Sequence, residues 1–245
     1  MKLTILGFYG GYPAHTVGTS SYLIQSNGFN LLLDCGSGAM LSLEHKLDPL
    51  KLDAVVLSHY HQDHIADIGV LQYNWQINDD QVKQPLSIYG PSIDQEAFAK
   101  LTWANATIGI GYKNKEVIDI GPFTFEFLET IHPVPTYAMR ITERATGKVF
   151  VFTADTAYDE KLNAISQNAD ILMTDTNFFD DKIGEKWHMT STESGKFARL
   201  NNAKRLILTH LPANGSHELL KEQAKLSAGS NIDIILAKKY LELTL

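Results

Sequence analysis

The sequence predicts a mixed α/β fold, and three observations predict it. Strand-like runs crowd the beginning of the chain as a meander; strands alternate with helical segments in its last hundred residues; and four apolar strands each stop at a histidine or an aspartate. The third bears most on function, because open sheets with helices on their faces collect their sites beyond the carboxyl ends of the strands.

Residues 3–8, 20–25 and 29–33 read as strands, and Asn27-Gly28 marks a tight hairpin between the last two. A helix over 38–46 stops before Pro49, and strand 52–57 follows. Ile65, Ile68, Leu71 and Trp75 recur at helical spacing, which puts Asp63 and His64 at a helix start. Residues 87–89 form a short strand, 92–103 a helix, and 123–131 and 137–142 strands; Ala145-Thr146-Gly147-Lys148 then turns the chain into strand 149–152. Helix 159–166, strand 171–174, helix 191–200, strand 206–209 and helix 217–226 alternate after that, and strands 232–236 and 239–245 close the chain. No linker or low-complexity segment interrupts it, so a single domain over 1–245 is expected. Leu31-Leu32-Leu33-Asp34 is loosely echoed by Phe150-Val151-Phe152-Thr153-Ala154-Asp155, which reads as two related halves.

With 245 residues and 44% hydrophobic content the chain can bury a large core, which excludes disordered, fibrous and disulfide-stapled classes. The net charge of -7 and the lack of a basic cluster disfavour extended nucleic acid as a partner. The N-terminal strand soon meets Gly10, Gly11 and Pro13, too broken for a signal peptide, and no apolar run is long enough to span a bilayer. The single cysteine, Cys35, fits a reducing compartment and a packed small side chain, so a cytoplasmic protein is expected.

The chemistry begins at the strand ends. Strand 52–57 leads to Ser58-His59, strand 149–152 to Thr153-Ala154-Asp155, strand 171–173 to Thr174-Asp175, and strand 206–208 to Thr209-His210. In His59-Tyr60-His61-Gln62-Asp63-His64, three imidazoles and a carboxylate fall within six residues. Imidazole suits zinc and its neighbours, and a carboxylate among imidazoles suits a second, harder position on a hydrolytic metal pair. An affinity tag would be consecutive and terminal; this run is spaced and internal.

That run, the isolated His132, Asp155 after its strand and His210 in Leu208-Thr209-His210 together resemble the ordered motif set of the metallo-β-lactamase superfamily. The resemblance covers the chain from Asp34 to His210 and implies a four-layer αββα sandwich of two mixed β-sheets. It implies one metal ion held by His59, His61 and His132, a second by Asp63, His64 and His210, and Asp155 bridging them. Two divalent cations, zinc foremost with manganese as the other choice, would lie about 3.5–4 Å apart and share a hydroxide formed near neutral pH, which attacks the substrate. Asp34 reads as a carboxylate behind a ligating imidazole, fixing its tautomer, or as a strand-end turn residue. Asp175 reads equally as a support for the ligands or as structure. His45 and His217 are expected on the surface, and His15, beside Gly10-Gly11 and Pro13, reads as an ordinary loop histidine or as one lining the mouth of the cleft.

Trp187-His188-Met189-Thr190-Ser191-Thr192-Glu193 resembles the His-x-Thr element of the ribonuclease Z branch and related phosphodiesterases. Thr190 and Glu193 have capping-box spacing, which places His188 before a helix whose free N–H groups would favour an anion. The resemblance implies Asp63 and His188 as catalytic residues, His188 as a non-ligand histidine that stabilises charge or protonates the leaving oxygen. The long clamp arm of the ribonuclease is not found between residues 131 and 182. The expected function is therefore hydrolysis of a small or cyclic phosphodiester, nucleotide or sugar-derived, in a chain that could be a homodimer. Lactonase or thioesterase activity on the same fold, ribonuclease Z-like RNA processing, and a non-catalytic metal carrier stay open as alternatives.

Overall fold

The computed structural model describes residues 1–78, 80–81 and 84–245. The chain divides into two compact units, one of residues 1–113 with 239–244, the other of residues 114–238 with Leu245. In the first unit β1 (Lys2–Tyr9), β2 (Gly18–Thr19), β3 (Ser21–Ser26) and β4 (Phe29–Cys35) are followed by α1 (Ala39–Glu44), β5 (Ala54–Val56), α2 (Gln62–Ile65), α3 (Ile68–Ile77), β6 (Leu86–Pro91), α4 (Gln95–Ala99) and β7 (Thr107–Tyr112). The second unit holds β8 (Val117–Ile120), β9 (Phe123–Glu129), β10 (Tyr137–Glu143), β11 (Val149–Phe152), α5 (Asn163–Ser166), β12 (Ile171–Asp175), α6 (Ser191–Leu200), β13 (Arg205–Thr209), α7 (His217–Ala228) and β14 (Asp233–Leu236). The last strand, β15 (Glu242–Thr244), returns to the first sheet against β1.

Each unit is built on one mixed sheet. The first runs β15-β1-β3-β4-β5-β6-β7 and the second β14-β13-β12-β11-β10-β9-β8. In the first, β1, β3 and β4 pair antiparallel, and from β4 through β7 the pairing is parallel. In the second, β8 through β11 are antiparallel, and β11 through β14 parallel. Thus β4 and β11 occupy the same place, the strand at which a meander becomes an α/β sheet. That is the structural content of the echo between Asp34 and Asp155.

Register explains which residues make the core. Leu23, Leu32, Val55 and Ile88 are paired across β3, β4, β5 and β6, and this row is buried together with Leu43 of α1 and with Leu71 and Trp75 of α3. In the second unit α6 and α7 cross closely, and a Cβ on Gly195 would fall 2.1 Å from the Ala224 carbonyl oxygen, so only glycine permits that approach.

Several elements differ from the sequence expectation. The helix expected from Asp63 breaks after Ile65, because Asp67 donates its N–H to the Cys35 carbonyl and accepts the Met40 N–H on Oδ2. The helix expected over 92–103 contracts to α4: Asp94 caps it by accepting the Ala97 N–H, and Ala104 takes a left-handed φ of 44°. Three strands, β2, β7 and β8, lie outside those the sequence predicts. β7 carries Gly109 and Gly111, which weaken a strand pattern, and a Cβ on Gly111 would sit 2.7 Å from Ser92 Cβ. β8 is only four residues long, at the lower limit for a readable alternation.

The second sheet also buries a charge. Asp170 is 7% exposed and meets Lys204 Nζ at 2.8 Å, Lys148 Nζ at 3.1 Å and the Val149 N–H at 3.0 Å. Burial alone would raise its pKa, but these donors outweigh it and hold the carboxyl at about 2. A carboxylate depressed in the folded state stabilises above its unfolded pKa and loses that contribution as pH falls through its folded value. Asp170→Asn is therefore expected to cost about 2 kcal/mol at neutral pH. The difference from the parent should shrink as pH drops from about 4 towards 2, which thermal unfolding at a series of pH values would measure.

Candidate metal centre

Each unit gathers histidines and carboxylates at the carboxyl ends of its parallel strands. In the first, Leu57-Ser58-His59 continue β5, with the Leu57 N–H donating to the Tyr89 carbonyl and the Tyr112 hydroxyl donating to the Leu57 carbonyl at 2.6 Å. This clamp holds His59, which is wholly buried. His61 N-caps α2 in an extended conformation, and one helical turn then carries Asp63 and His64. The His59 and His64 ring centroids are 4.1 Å apart, His59 Nε2 is 3.2 Å from His61 Nδ1, and Asp63 Oδ2 is 3.6 Å from His64 Nε2. So dense a group needs α2 close to the end of β4. A Cβ on Gly36 would fall 2.1 Å from the Asp63 carbonyl oxygen, so glycine is required there.

Asp34 holds this group from behind. It is fully buried on β4 with a left-handed φ of 55°. Its carboxylate accepts the Ser58 N–H at 2.7 Å and the Ser58 hydroxyl at 2.9 Å, and lies 2.7 Å from His64 Nδ1. Ser58 Oγ lies 3.0 Å from His59 Nδ1. These contacts place the Nδ1 proton of both rings towards Asp34 and Ser58, leaving each Nε2 as the lone-pair donor. Asp63 is held too, since its Oδ2 accepts the Gly11 N–H at 2.7 Å.

The second unit assembles His132, Asp155, Asp175, His188 and His210. Asp155 Oδ2 lies 3.3 Å from His210 Nε2 and 3.8 Å from His132 Nε2. Asp175, at the end of β12, uses both oxygens: Oδ2 is 2.7 Å from His188 Nδ1 and accepts the Thr156 N–H, while Oδ1 is 3.2 Å from His210 Nδ1. The pairing of Asp175 with Thr209 across β12 and β13 brings His210 beside it. The His188 and His210 rings stack at 5.0 Å, and His132 meets His188 edge-on with its Nδ1 3.3 Å from the Trp187 carbonyl. One ligand atom each from Asp155, Asp175, His188 and His210 lies within 4.8 Å of the others. Burial opposes charge on the His188 ring, but the Asp175 carboxylate, by charge and hydrogen bond, outweighs it and raises the pKa above the ordinary histidine value.

The donor chemistry fits a borderline divalent cation: imidazole nitrogens and carboxylate oxygens, with the rings backed by Asp34, Ser58, Asp175 or a peptide carbonyl. Asp175, left open by the sequence, supports two histidines at once. Ser58 and Gly11 were not singled out; the strand-end position of Ser58 was the available signal, and nothing local marked Gly11. The Thr190–Glu193 capping box is present. The start of α6 is nevertheless closed to an anion, contrary to expectation: the Ser191 N–H donates to the Phe178 carbonyl, Thr192 N–H to Asp180 Oδ1 and Glu193 N–H to Thr190 Oγ1. His15 and His45 are exposed, and His217 is half-buried with Nε2 2.8 Å from the Pro212 carbonyl oxygen.

Residues 16–237 match the family model described as the metallo-beta-lactamase superfamily. The chain is 45% identical over 237 residues to a probable metallo-hydrolase, YhfI, of Bacillus subtilis, covering 96% of each. The crystal structure of that metallo-beta-lactamase fold protein superposes with a TM-score of 0.93 at 43% identity, covering 99% of this chain and 98% of the other. A ribonuclease Z of Haloarcula marismortui is 24% identical over 303 residues, covering 99% of this chain and 96% of its own. A diphosphatase of the PhnP family shares the fold with a TM-score of 0.77 at 18% identity, covering 100% and 97%.

Asp34→Asn presents an amide N–H₂ where the parent accepts only donors. It is expected to weaken metal retention about 10–100-fold with the fold preserved, read as metal content after dialysis against a graded chelator alongside circular dichroism. Retention equal to the parent would show that Asp34 supports structure alone.

Proposed function

The chain belongs to the metallo-β-lactamase superfamily, and from that premise we propose that this metal-dependent hydrolase cleaves a small or cyclic phosphodiester, nucleotide or sugar-derived. In this reading His59, His61, Asp63, His64, His132, Asp155 and His210 are the metal ligands, with Asp155 as the bridge and zinc as the favoured ion. Bound metal would supply a water ionised near neutral pH and positive charge for the phosphoryl oxygens.

The observation that carries the phosphodiester reading is the His188–Asp175 pair. His188 is half-buried, its Nδ1 is 2.7 Å from Asp175 Oδ2, and that carboxylate raises its pKa against the opposing effect of burial. An imidazole held in place by a carboxylate suits a reaction in which charge builds on a phosphoryl oxygen and an alkoxide must leave: the ring stabilises the first and gives a proton to the second. Asp175 keeps Nδ1 engaged, so Nε2 is the atom that meets substrate. Asp63, fixed by the Gly11 N–H, is the second residue assigned to catalysis. The acidic chain and the lack of a long clamp insertion favour a compact substrate over a large polyanion.

A panel of generic phosphodiesters, cyclic nucleotides, lactones, thioesters and a chromogenic cephalosporin tests the assignment. Phosphodiester preference is the expected result; preference for a lactone or thioester would overturn it. His188→Ala is expected to lower phosphodiester turnover by about 10²–10⁴-fold with metal content unchanged, and a variant turning over at the parental rate would remove His188 from the chemistry. Asp155→Ala should lose both activity and metal retention, measured by turnover and metal analysis; full occupancy and rate would show that another residue bridges.

A further inference from the structure

None of the residues assigned to metal or catalysis lines the cavity of about 290 Å³ in the first unit, which is formed by residues 13–18, Ser37, Gly38, Leu41, Ser42 and Lys239. Its rim is preformed. Ala14 and Val17 exchange backbone hydrogen bonds at 3.0 and 2.8 Å, closing a two-residue hairpin on His15 and Thr16, both left-handed with φ of 47° and 64°. Such a turn ordinarily takes Asn-Gly, and holding a histidine and a threonine there costs backbone strain. Behind the hairpin, Gly18 packs so tightly that a Cβ would fall 2.3 Å from the Ser37 carbonyl oxygen.

The lining is chemically one-sided. It offers a lysine, a histidine, the hydroxyls of Thr16, Ser37 and Ser42, and an aliphatic wall of Val17 and Leu41, with no carboxylate, although the whole chain carries a net charge of -7. Lys2 and Lys46 share Glu242. Lys239 makes no ion pair among the described residues; its Nζ lies 3.4 Å from the Thr16 carbonyl oxygen and 5.1 Å from the Tyr240 ring centroid. Leu41 is 72% exposed, so the apolar wall opens to solvent. The volume sits at the small end of ligand pockets, about 300–1,000 Å³, so the occupant is compact.

We propose that this pocket binds a small organic anion, its oxyanion group on Lys239 and a short aliphatic body along Leu41 and Val17. Phosphoryl and carboxylate groups share the chemistry that Lys239 recognises, and the experiment separates them. Calorimetric titration of the whole protein with butyl phosphate, butyrate and inorganic phosphate is expected to give millimolar or tighter binding for one of the two butyl anions. The better butyl anion identifies the group. Lys239→Gln should weaken that binding about tenfold or more, as should Leu41→Asp, which sets a negative charge on the exposed wall. Asp155→Ala, which disables the proposed metal site, should leave it unchanged. Three results would overturn the proposal: no binding of either butyl anion, equal binding by the Lys239→Gln variant, or inorganic phosphate matching butyl phosphate. None depends on phosphodiester turnover, so the pocket and the catalytic assignment stand or fall separately.

Discussion

A buried carboxylate must be surrounded by donors, and the candidate centre in each unit is organised around meeting that demand. Asp34 has no exposure and answers it with one peptide N–H, one hydroxyl and one imidazole, all from the Ser58–His64 stretch. Asp175 answers it on Oδ2 with the Thr156 peptide and His188, while Oδ1 lies 3.2 Å from His210 Nδ1. In both cases the carboxylate is stabilised by the groups it orients, so satisfying its hydrogen bonds and aiming the imidazoles are one event. Removing such an acid leaves its donors unsatisfied inside the protein as well as letting the rings turn.

The sheets make these arrangements possible. Their parallel halves deliver His59, Asp175 and His210 at or just beyond strand ends, and β4 and β11, where pairing changes from antiparallel to parallel, are the strands associated with Asp34 and Asp155. Some of the chain's left-handed backbone falls at these places. Asp34, Ala154 and His210 all adopt left-handed φ, between 51° and 55°. Residues other than glycine hold that geometry only where surrounding contacts over-determine it, at about 1–3 kcal/mol each. Here it turns the chain sharply at the strand ends that carry functional side chains.

Much of this was legible in the sequence because the informative signals are local. Strand 149–152 and helix 191–200 were read with the bounds they have, and the spaced histidines declared their chemistry through residue type alone. What was not legible depends on register or on close approach. Nothing near Asp175 shows that it reaches His210; the pairing of β12 with β13 decides that. The start of α6 looked open to an anion because the capping box was visible, whereas the Asp180 carboxylate and Phe178 carbonyl that fill it come from the preceding loop. The glycines of β7 hid a strand because the neighbours that crowd them, Leu101 for Gly109 and Ser92 for Gly111, lie on other segments.

Cys35 has a use that follows from its place. It is the chain's one thiol, it lies wholly inside the first unit at the end of β4, and burial together with the Asp67 and Asp34 charges pushes its pKa up. A thiolate is the reactive form, so native Cys35 is doubly shielded, by enclosure and by protonation. A thiol reagent would therefore label the chain only as fast as β4 and its surroundings open, which makes the unmodified protein its own kinetic probe of local unfolding beside the histidine run.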